Sequence, residues 1–271
     1  MVSCVMTFEP HPKEFFSPEQ APPRILNLRD KLAAFAQIGI DRVVVEHFNA
    51  AFARLSPDEF VGQILVKQLN AKWILIGDDF CYGAKRAGNF TSLKAAGEQY
   101  GFAVSSIDTI EDEGERISSS ALRTALADGN MAQASKLLGR PYGISGHVIH
   151  GQKLGRTLGF PTLNLAVANH LHHRKPATSG IFTAQVLGLS AQPLPAVASL
   201  GVRPTVEDAG RVLLETHIFD FHQDVYGKII TVELLEKIRD EAKYTDLDAL
   251  TKAIAADAAH ARNYFQKKVY V

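Results

Sequence analysis

A glycine-rich stretch with two strong cations lies near the middle of the chain, at residues 150–164 (HGQKLGRTLGFPTLN). Glycine lets backbone N–H groups approach an anion closely, and here Gly151 and Gly155 alternate with Lys153 and Arg156. The pattern differs from a P-loop because no Gly-Lys-Ser/Thr follows and no helix is expected at this point. Taken alone, the stretch is more typical of a flexible connection between strands than of a phosphate-binding loop.

Two oxygen-bearing side chains stand at the end of the same stretch. Thr162 and Asn164 are two residues apart on a strand-like run, so both side chains should point to the same side. Hydroxyl and amide oxygens are hard ligands suited to Mg²⁺, which proteins usually hold with few groups of their own together with phosphates and water. The pair therefore strengthens the interpretation of the stretch as a phosphate loop with a metal site.

A carboxylate, Glu215, interrupts the apolar run LLETHIFDF at residues 213–221. A carboxylate fixed on a strand could serve as the general base of a phosphoryl transfer when a hydroxyl nucleophile lies within its reach. The alternative is a carboxylate on the solvent face of an edge strand. The spacing does not choose between the two.

Composition limits the class of protein. A chain of 271 residues exceeds what one typical core supports, so we expect two domains. Lys and Arg together number 29, as do Asp and Glu, so no basic field indicates nucleic acid or a membrane surface as a partner. Two distant cysteines and the lack of a bilayer-length apolar run favour a cytoplasmic protein.

The first half of the chain alternates strand-like and helix-like runs. VSCVMTF (2–8) and KWILIG (72–77) are typical of strands, the second of them buried, whereas SPDEFVGQILVKQL (56–69) opens with a capping box from Ser56 to Glu59. This alternation predicts a parallel α/β sheet that binds ligands at the carboxyl ends of its strands. We assign residues 1–139 to this domain.

The second half has a different rhythm. From about residue 143, strand-like runs follow one another without a long helix, separated by Gly, Pro, Asn and Asp. A helix with Asp246 as its N-cap closes the chain. Its apolar stripe comprises Leu247, Leu250, Ile254, Ala258 and Ala261. The pattern predicts a small closed antiparallel barrel of five or six strands with a C-terminal helix, at residues 140–271.

Several runs recur in the order of a known family. In the second half they are GHVIHGQKLGRTLGFPTLN, SLGVRPTV, LLETHIFDF and VYGKIITVELLEKIRDE; in the first half they are TFEPHPKEFF, ILIGDDFCYGAKRAGNF and ISSSALR. The chain thus resembles the bacterial bifunctional riboflavin kinase/FMN adenylyltransferases, the prokaryotic FAD synthetases. The resemblance implies a Rossmann-like nucleotidyltransferase domain followed by a six-stranded antiparallel barrel. It also implies Mg²⁺- and ATP-dependent phosphorylation of riboflavin to FMN, and adenylylation of FMN to FAD.

The resemblance gives each candidate in the kinase domain a role. Thr162 and Asn164 match the family's Pro-Thr-Ala-Asn motif for Mg²⁺, with Leu163 where the family usually has Ala. Glu215 matches the base that takes the proton from the ribityl 5′-hydroxyl as it attacks the γ-phosphate of ATP. The nucleotide loop would contain Gly151, Lys153, Gly155 and Arg156, and a looser match places Arg239 and Asp240 on the flavin side.

The adenylyltransferase domain supplies a second set of candidates. Ser118, Ser119 and Arg123 match the nucleotidyltransferase pattern ISSSxxR. Serines at a helix start with an arginine one turn further suit a triphosphate, although an ordinary serine N-cap is the alternative. His11 and Asp79 stand at predicted strand ends, where the resemblance places nucleotide and flavin contacts without an individual role.

The sequence departs from the family at one motif. Family members reach TFEPHP only after a strand and a GxFDGVHxGH motif, and this sequence contains no HxGH. The loss of one preorganised donor of this kind costs about 10²–10³ in rate. We therefore expect impaired FMN adenylylation in the chain as written, an incomplete sheet with a gap or an exposed apolar edge, and a native product that begins roughly 30–60 residues upstream. The alternative to an upstream start is a true fragment with a loosened N-terminal domain and a stable kinase barrel. The alternatives are a fully bifunctional enzyme that has this segment, and a flavin-binding or regulatory module without turnover.

Flavin chromatography separates these alternatives. After incubation with riboflavin and Mg·ATP, protein whose intact mass confirms a start at Met1 should yield FMN but little or no FAD, because the phosphate contacts of the adenylyl site are missing. FAD formation from FMN at a rate comparable with FMN formation would show that the motif is dispensable. Formation of neither product would favour the binding module.

Overall fold

A computed structural model describes residues 1–77, 79–108, 110–112, 114–151, 154–167, 176–202 and 212–268. By its contacts the chain divides into two compact units. The first comprises Met1–Pro22 and Ile40–Arg116, and the second comprises Pro23–Gly39 and Ile117–Val271. Lys153 of the expected nucleotide loop lies outside the described residues.

The helices and strands follow the predicted order: they alternate in the first half of the chain, and strands predominate in the second half. The helices are α1 (Pro12–Phe16), α2 (Leu28–Gln37), α3 (Pro57–Glu59), α4 (Phe90–Tyr100), α5 (Ser119–Ala127), α6 (Met131–Leu138), α7 (Leu154–Thr157) and α8 (Leu247–Lys268). The strands are β1 (Cys4–Glu9), β2 (Arg42–His47), β3 (Trp73–Gly77), β4 (Ala103–Ile107), β5 (Glu111–Asp112), β6 (Glu115–Arg116), β7 (Tyr142–Ile149), β8 (Leu163–Ala166), β9 (Gly180–Leu187), β10 (Leu194–Val202), β11 (Val212–Ile218) and β12 (Ile229–Arg239). Helix α3 continues as a π-helical segment, Phe60–Gln68. None of the described helices is both long enough and apolar enough to cross a membrane.

The first unit contains parallel strand pairs. β1 pairs with β2 and β3 pairs with β4, both in the parallel direction that the alternation of strands and helices predicts. Within the described residues no ladder joins the two pairs, so these four strands do not form one sheet. The capping box is confirmed: the Glu59 N–H donates to Ser56 Oγ at 3.2 Å, and the Ser56 N–H donates to the Glu59 carboxylate at 2.8 Å.

Strand β3 is covered on one face. Ile76 is buried in a core with Val61 and Leu93, which lie on the neighbouring helices. The alternate residues face outward, with Trp73 49% and Leu75 44% exposed. The prediction of a strand at residues 72–77 is confirmed, since β3 covers Trp73–Gly77. The prediction that this strand is buried is wrong: the described helices pack on one side of the β3–β4 pair, and successive side chains of a strand point to opposite sides.

The helices that precede the barrel belong to the second unit. Leu122 and Leu126 of α5 and Met131 of α6 are buried in the same core as the barrel strands. The structural division therefore differs from the predicted boundary between residues 139 and 140, because these helices bury their apolar faces against the barrel rather than in the first unit. The boundary between the two functional domains at residues 139 and 140 stays a prediction.

Six antiparallel strands close into a barrel in the order β10-β11-β8-β7-β12-β9, with β9 returning to β10. The barrel with its C-terminal helix confirms the predicted architecture of the second half. Inward-facing residues such as Leu165, Leu214 and Val232 are fully buried, because alternate side chains of each strand fill the interior.

Helix α8 packs on the outside of the barrel. The predicted cap is confirmed, since the Ala249 N–H donates to the Asp246 carboxylate at 2.8 Å. Ala258 and Ala261 of the predicted stripe are buried against the barrel, whereas Leu247, the first residue of the helix, is 57% exposed. The helix thereby covers the barrel next to the chain segment that follows β12.

Helix α2 packs beside strand β7 of the barrel. Among the described residues β8 pairs with β7 at Val148 and Ile149, and Ser145 lies beyond this part of the ladder. Side chains of the α2 segment supply its hydrogen bonds: the Ser145 N–H donates to the Asp30 carboxylate at 3.2 Å, and Asn27 Nδ2 donates to the Ser145 carbonyl oxygen at 3.1 Å. Burial raises the pKa of Asp30 above its ordinary value, against the opposing effect of the hydrogen bonds from Ser145.

Removal of the Asp30 carboxylate should weaken the contact between α2 and β7. We expect Asp30→Ala to lower the free energy of unfolding by ~1–3 kcal/mol, because the Ser145 N–H loses its acceptor. Asp30→Asn keeps one acceptor oxygen and should cost less. Urea unfolding followed by circular dichroism gives the comparison, and equal losses in the two variants would show that the acceptor does not matter.

The same pair of variants has a pH dependence with a definite sign. The folded-state pKa of Asp30 is raised, so its contribution to stability is full below the unfolded-state pKa and is lost as the pH rises through the folded-state pKa. Asparagine does not titrate. The stability of Asp30→Asn relative to the parent should therefore improve as the pH rises from about 4, the ordinary pKa of an aspartate, through the higher folded-state pKa of Asp30.

Candidate active site

A pocket of about 310 Å³ opens on the barrel beside α8 and is lined by residues of strands β8 to β12 and of α8. The apolar part of its wall includes Ile181, Val197, Leu250 and Ile254. The polar residues lie beside this part, since Ile181 is paired with Ser199 and Val197 with His217 on neighbouring strands. The pocket thus offers both a surface for an aromatic ring system and a set of hydrogen-bonding groups.

Strand register places the polar side chains in one row. Asn164 of β8 lies directly opposite Glu215 of β11, and Glu215 lies directly opposite Ser199 of β10. Opposed side chains of antiparallel strands are ~4.5–5.5 Å apart at their Cβ atoms, within reach of one another. Thr162, just before β8, lines the same pocket, so the structure brings together three of the candidates: Thr162, Asn164 and Glu215.

The Asn164 side chain suits a cation ligand. Asn164 is 6% exposed, and its Oδ1 finds no hydrogen-bond partner among the described residues. A buried acceptor without a donor is costly, and a divalent cation would satisfy it. The hydroxyl of Thr162 and the amide oxygen of Asn164 are a donor set that fits Mg²⁺ held by few protein oxygens and by phosphate. The described residues contain no cluster of three or more His, Cys, Asp or Glu side chains fit for a metal.

Glycine is required at two points of the expected nucleotide loop. A Cβ on Gly151 would overlap the Asn164 amide, and a Cβ on Gly155 would overlap the Phe160 carbonyl oxygen. The Phe160 N–H also donates to the Gly155 carbonyl oxygen at 2.8 Å, which folds the loop back on itself. The loop contains a short helix, α7, where the sequence predicts none.

A second pocket, of about 560 Å³, lies on the other side of Thr162. Arg156 lines it, as do His150 and Tyr226, whose ring centroids are 3.8 Å apart. Because Thr162 lines both pockets, it marks the place where their contents would meet.

Of the two flavin-side candidates, Arg239 and Asp240, the first pocket includes only Arg239 among its lining residues. Arg239 lines the first pocket, where its Nε and Nη2 donate to the two oxygens of Asp257 at 2.9 and 2.6 Å. The hydrogen bond to Asp257 raises the pKa of Arg239 further. Asp240 does not line this pocket; its side chain is 84% exposed and pairs with Lys237 at 2.6 Å.

Known proteins are similar to this chain over nearly its whole length. The riboflavin kinase (Flavokinase) family model matches residues 138–265, and the FAD synthetase (FAD_syn) model matches residues 1–121. The bifunctional riboflavin kinase/FMN adenylyltransferase of Escherichia coli K12 is 46% identical over 96% of this chain and 82% of its own length. The corresponding proteins of Pseudomonas fluorescens and Haemophilus influenzae are 44% identical over 96% of this chain and 82% of theirs, and 41% identical over 97% and 83%. The chain belongs to the bifunctional riboflavin kinase/FMN adenylyltransferase family.

A solved structure has the fold of this riboflavin kinase/FMN adenylyltransferase family member. The crystal structure of a macrolide-efflux protein from Streptococcus pneumoniae has a TM-score of 0.76 and 33% identity, and the match covers 97% of this chain and 84% of that one. The word efflux belongs to the name of the Streptococcus pneumoniae protein. The similarity to this family member is in the arrangement of helices and strands.

Within the riboflavin kinase match, the structure adds residues that sequence reasoning missed. His217 stands two residues after Glu215 on β11, on the same face, and its Nδ1 lies 2.8 Å from the Pro161 carbonyl oxygen. Because a carbonyl oxygen only accepts, Nδ1 carries the proton, and His217 holds the segment that leads into Thr162. The alternation of Glu215 and His217 along the strand is the signal that could have found it.

A second missed residue is Glu241, which lines the first pocket. Ser199 Oγ donates to its carboxylate at 3.4 Å. Partial burial raises the pKa of Glu241; the hydrogen bond from Ser199 opposes this effect, and the nearby charge of Glu215 adds to it. The pocket therefore contains a second carboxylate, whose pKa is raised in part by the first.

The FAD synthetase candidates are divided between the two units. His11 and Asp79 lie in the first unit, where His11 Nδ1 accepts from the Lys13 N–H at 3.2 Å and caps α1, and Asp79 is exposed after β3. The other three lie in the second unit: Ser118, Ser119 and Arg123. Their roles in nucleotide binding stay predictions.

At the start of α5, the serines and Arg123 have local partners. Ser118 Oγ accepts from the Ala121 N–H at 3.1 Å, so the serine is an N-cap, as the alternative interpretation has it. Arg123 donates to the carbonyl oxygens of Pro23 at 2.9 Å and Ser119 at 3.2 Å, and burial lowers its pKa. These bonds tie the segment before α2 to α5 within the second unit.

Proposed function

We propose that this chain transfers the γ-phosphate of ATP to riboflavin in the barrel pocket and forms FMN. The observation that carries the proposal is the direct opposition of Asn164 and Glu215 on neighbouring strands, with Thr162 beside them between two pockets. This arrangement puts a candidate base and candidate metal ligands at the one place where a hydroxyl from one pocket and a phosphate from the other would meet. Flavin cofactor biosynthesis is also what membership in the family supports.

The first pocket suits riboflavin. Its apolar wall, with Ile181, Val197 and Leu250, would bury the isoalloxazine ring, and its polar row would face the ribityl chain. With the ring on the apolar wall, the ribityl chain extends toward Glu215 and Thr162.

The second pocket suits the nucleotide. Arg156 supplies a positive charge for phosphates, and the adjacent rings of His150 and Tyr226, tilted by 34° to each other, offer an aromatic surface for a base. Gly151 and Gly155 let the loop backbone pass close to Asn164 and Phe160, which keeps the loop near the phosphate end of this pocket.

Glu215 would act as the general base. A carboxylate on a rigid strand can accept the proton of the ribityl 5′-hydroxyl while that oxygen attacks the γ-phosphorus of ATP, and the bond from the γ-phosphorus to the departing ADP breaks. The pairing of β11 with strands on both sides holds Glu215 in place, so little reorganisation is needed at the moment of transfer.

Thr162 and Asn164 would hold Mg²⁺ through a hydroxyl and an amide oxygen. The bound ion would neutralise charge on the phosphate oxygens during transfer. The unsatisfied Oδ1 of Asn164 supports this assignment.

A second activity, adenylylation of FMN to FAD, is proposed for the segment that matches the FAD synthetase model. His11, Asp79, Ser118 and Ser119 lie within the matched residues 1–121, and Arg123 lies just beyond them. The impairment expected from the missing HxGH motif stays a prediction. We also place the protein in a reducing cytoplasm, which the two free cysteines support.

Substitution of the base tests the kinase proposal. Glu215→Gln keeps the shape of the side chain but cannot accept the proton, so FMN formation should fall by roughly 10²–10⁴ while riboflavin binding stays near normal. The matched control is Glu236→Gln on β12, which removes an exposed carboxylate paired with His260 and should leave turnover unchanged. Turnover of Glu215→Gln within a few-fold of the parent would exclude Glu215 as the base.

Substitution of the oxygen ligands tests the metal assignment. Thr162→Ala and Asn164→Ala should each raise the Mg²⁺ concentration needed for the half-maximal rate, because each removes one ligand from a site that has few. Thr251→Ala is the control, since that hydroxyl donates only to the Leu247 carbonyl oxygen within α8. An unchanged Mg²⁺ titration in both Thr162→Ala and Asn164→Ala would remove the pair from the metal site.

A further inference from the structure

Glu241 is a carboxylate of the first pocket that the transfer of phosphate does not require. It lies two residues after the end of β12, in the segment that leads to α8, and lines the pocket together with Glu215 and Ser199. The residue is also exposed to solvent. A group that enters the pocket would therefore meet it.

The backbone around Glu241 is shaped to admit its carboxylate. A Cβ on Gly201 of β10 would overlap the carboxylate oxygens of Glu241, so the carboxylate packs directly against the backbone of that strand. Ser199, on the same strand, donates its hydroxyl to the same carboxylate at 3.4 Å. Gly201 and Ser199 together fix the position of the Glu241 carboxylate.

Arg239, the cation two residues before Glu241, is already engaged. Arg239 donates to both oxygens of Asp257, at 2.9 and 2.6 Å, and to the Asp240 carbonyl oxygen at 3.0 Å. No ion pair of Glu241 is found among the described residues. Its carboxylate therefore has acceptor capacity left for a donor that comes with a ligand.

The position of Glu241 along the row of polar residues decides which part of a ligand it would meet. Ser199 and Asn164 lie on opposite sides of Glu215, because β10 and β8 flank β11. Glu241 is bonded to Ser199, so it lies on the side of Glu215 away from the metal candidate Asn164. A ligand whose terminal hydroxyl reaches Glu215 would place its neighbouring atoms near Glu241.

We propose that Glu241, oriented by Ser199 and admitted by Gly201, recognises the polyhydroxylated side chain of the flavin by accepting hydrogen bonds from its secondary hydroxyl groups. This inference rests on the proposed riboflavin kinase function and deepens it. A carboxylate is an acceptor-only group whose two oxygens can bind adjacent hydroxyls. A site built to bond substrate hydroxyls rejects analogues that lack them far more strongly than an apolar pocket can.

The test compares two flavins that differ in the side chain. Riboflavin carries the ribityl chain, and lumiflavin carries a methyl group in its place. Dissociation constants are measured from the quenching of flavin fluorescence for the parent, Glu241→Ala, Glu241→Gln and the control Glu236→Ala, and FMN formation is measured in the same samples.

Glu241→Ala should weaken riboflavin binding by about 10- to 100-fold and leave lumiflavin binding unchanged, because only riboflavin has hydroxyls to lose. Glu241→Gln should lie between the alanine variant and the parent, since its amide keeps one acceptor oxygen. Glu236→Ala should bind both flavins as the parent does. Unchanged lumiflavin binding also shows that the pocket of each variant is folded.

Two results would overturn the inference. If Glu241→Ala weakens the binding of riboflavin and lumiflavin equally, Glu241 supports the part of the pocket that binds the flavin ring. If Glu241→Ala binds riboflavin as the parent does, Glu241 does not recognise the ribityl hydroxyls. The proposed function has a separate readout: a parent protein that forms no FMN contradicts the phosphate transfer, whereas the selectivity between the two flavins still decides the role of Glu241.

Discussion

Antiparallel pairing of β11 with β8 on one side and with β10 on the other sets Asn164, Glu215 and Ser199 side by side. A slip of one residue in either ladder would turn the partner side chain to the other face of the wall and separate it from Glu215. The apolar alternation within the barrel opposes such a slip, because it would expose Leu165 or Leu200, both fully buried. The hydrophobic interior thus keeps the polar row in register.

Residues that carry a local signal could be predicted from the sequence. Glu215 interrupts an apolar run, Thr162 and Asn164 end a glycine-rich stretch, and Asp246 precedes a helical stripe, so each is visible without the fold. The resemblance to a family then supplied roles that the spacing alone could not.

Residues whose meaning depends on distant partners could not be predicted in this way. Glu241 matters because of Ser199 and Gly201, which precede it by about forty residues, and Arg239 depends on Asp257 of α8. These contacts arise when the barrel closes and α8 packs on it, and no local pattern encodes that closure. The same limit applies to helices α5 and α6. They follow the alternating strands and helices of the first half in sequence, so the sequence predicts that they belong to the first domain. In the structure their apolar faces are buried in the core of the barrel.

Thr162 lines two pockets at once, and this has a consequence for how their occupants affect each other. A molecule that draws the Thr162 segment toward itself changes the wall that the other molecule meets. Thermodynamic linkage then requires the influence to be mutual: whatever factor the first occupant applies to the affinity of the second, the second applies to the first. The hydrogen bond from His217 to the Pro161 carbonyl oxygen restrains the segment that contains Thr162. A stronger hydrogen bond would therefore reduce the effect of one occupant on the affinity of the other.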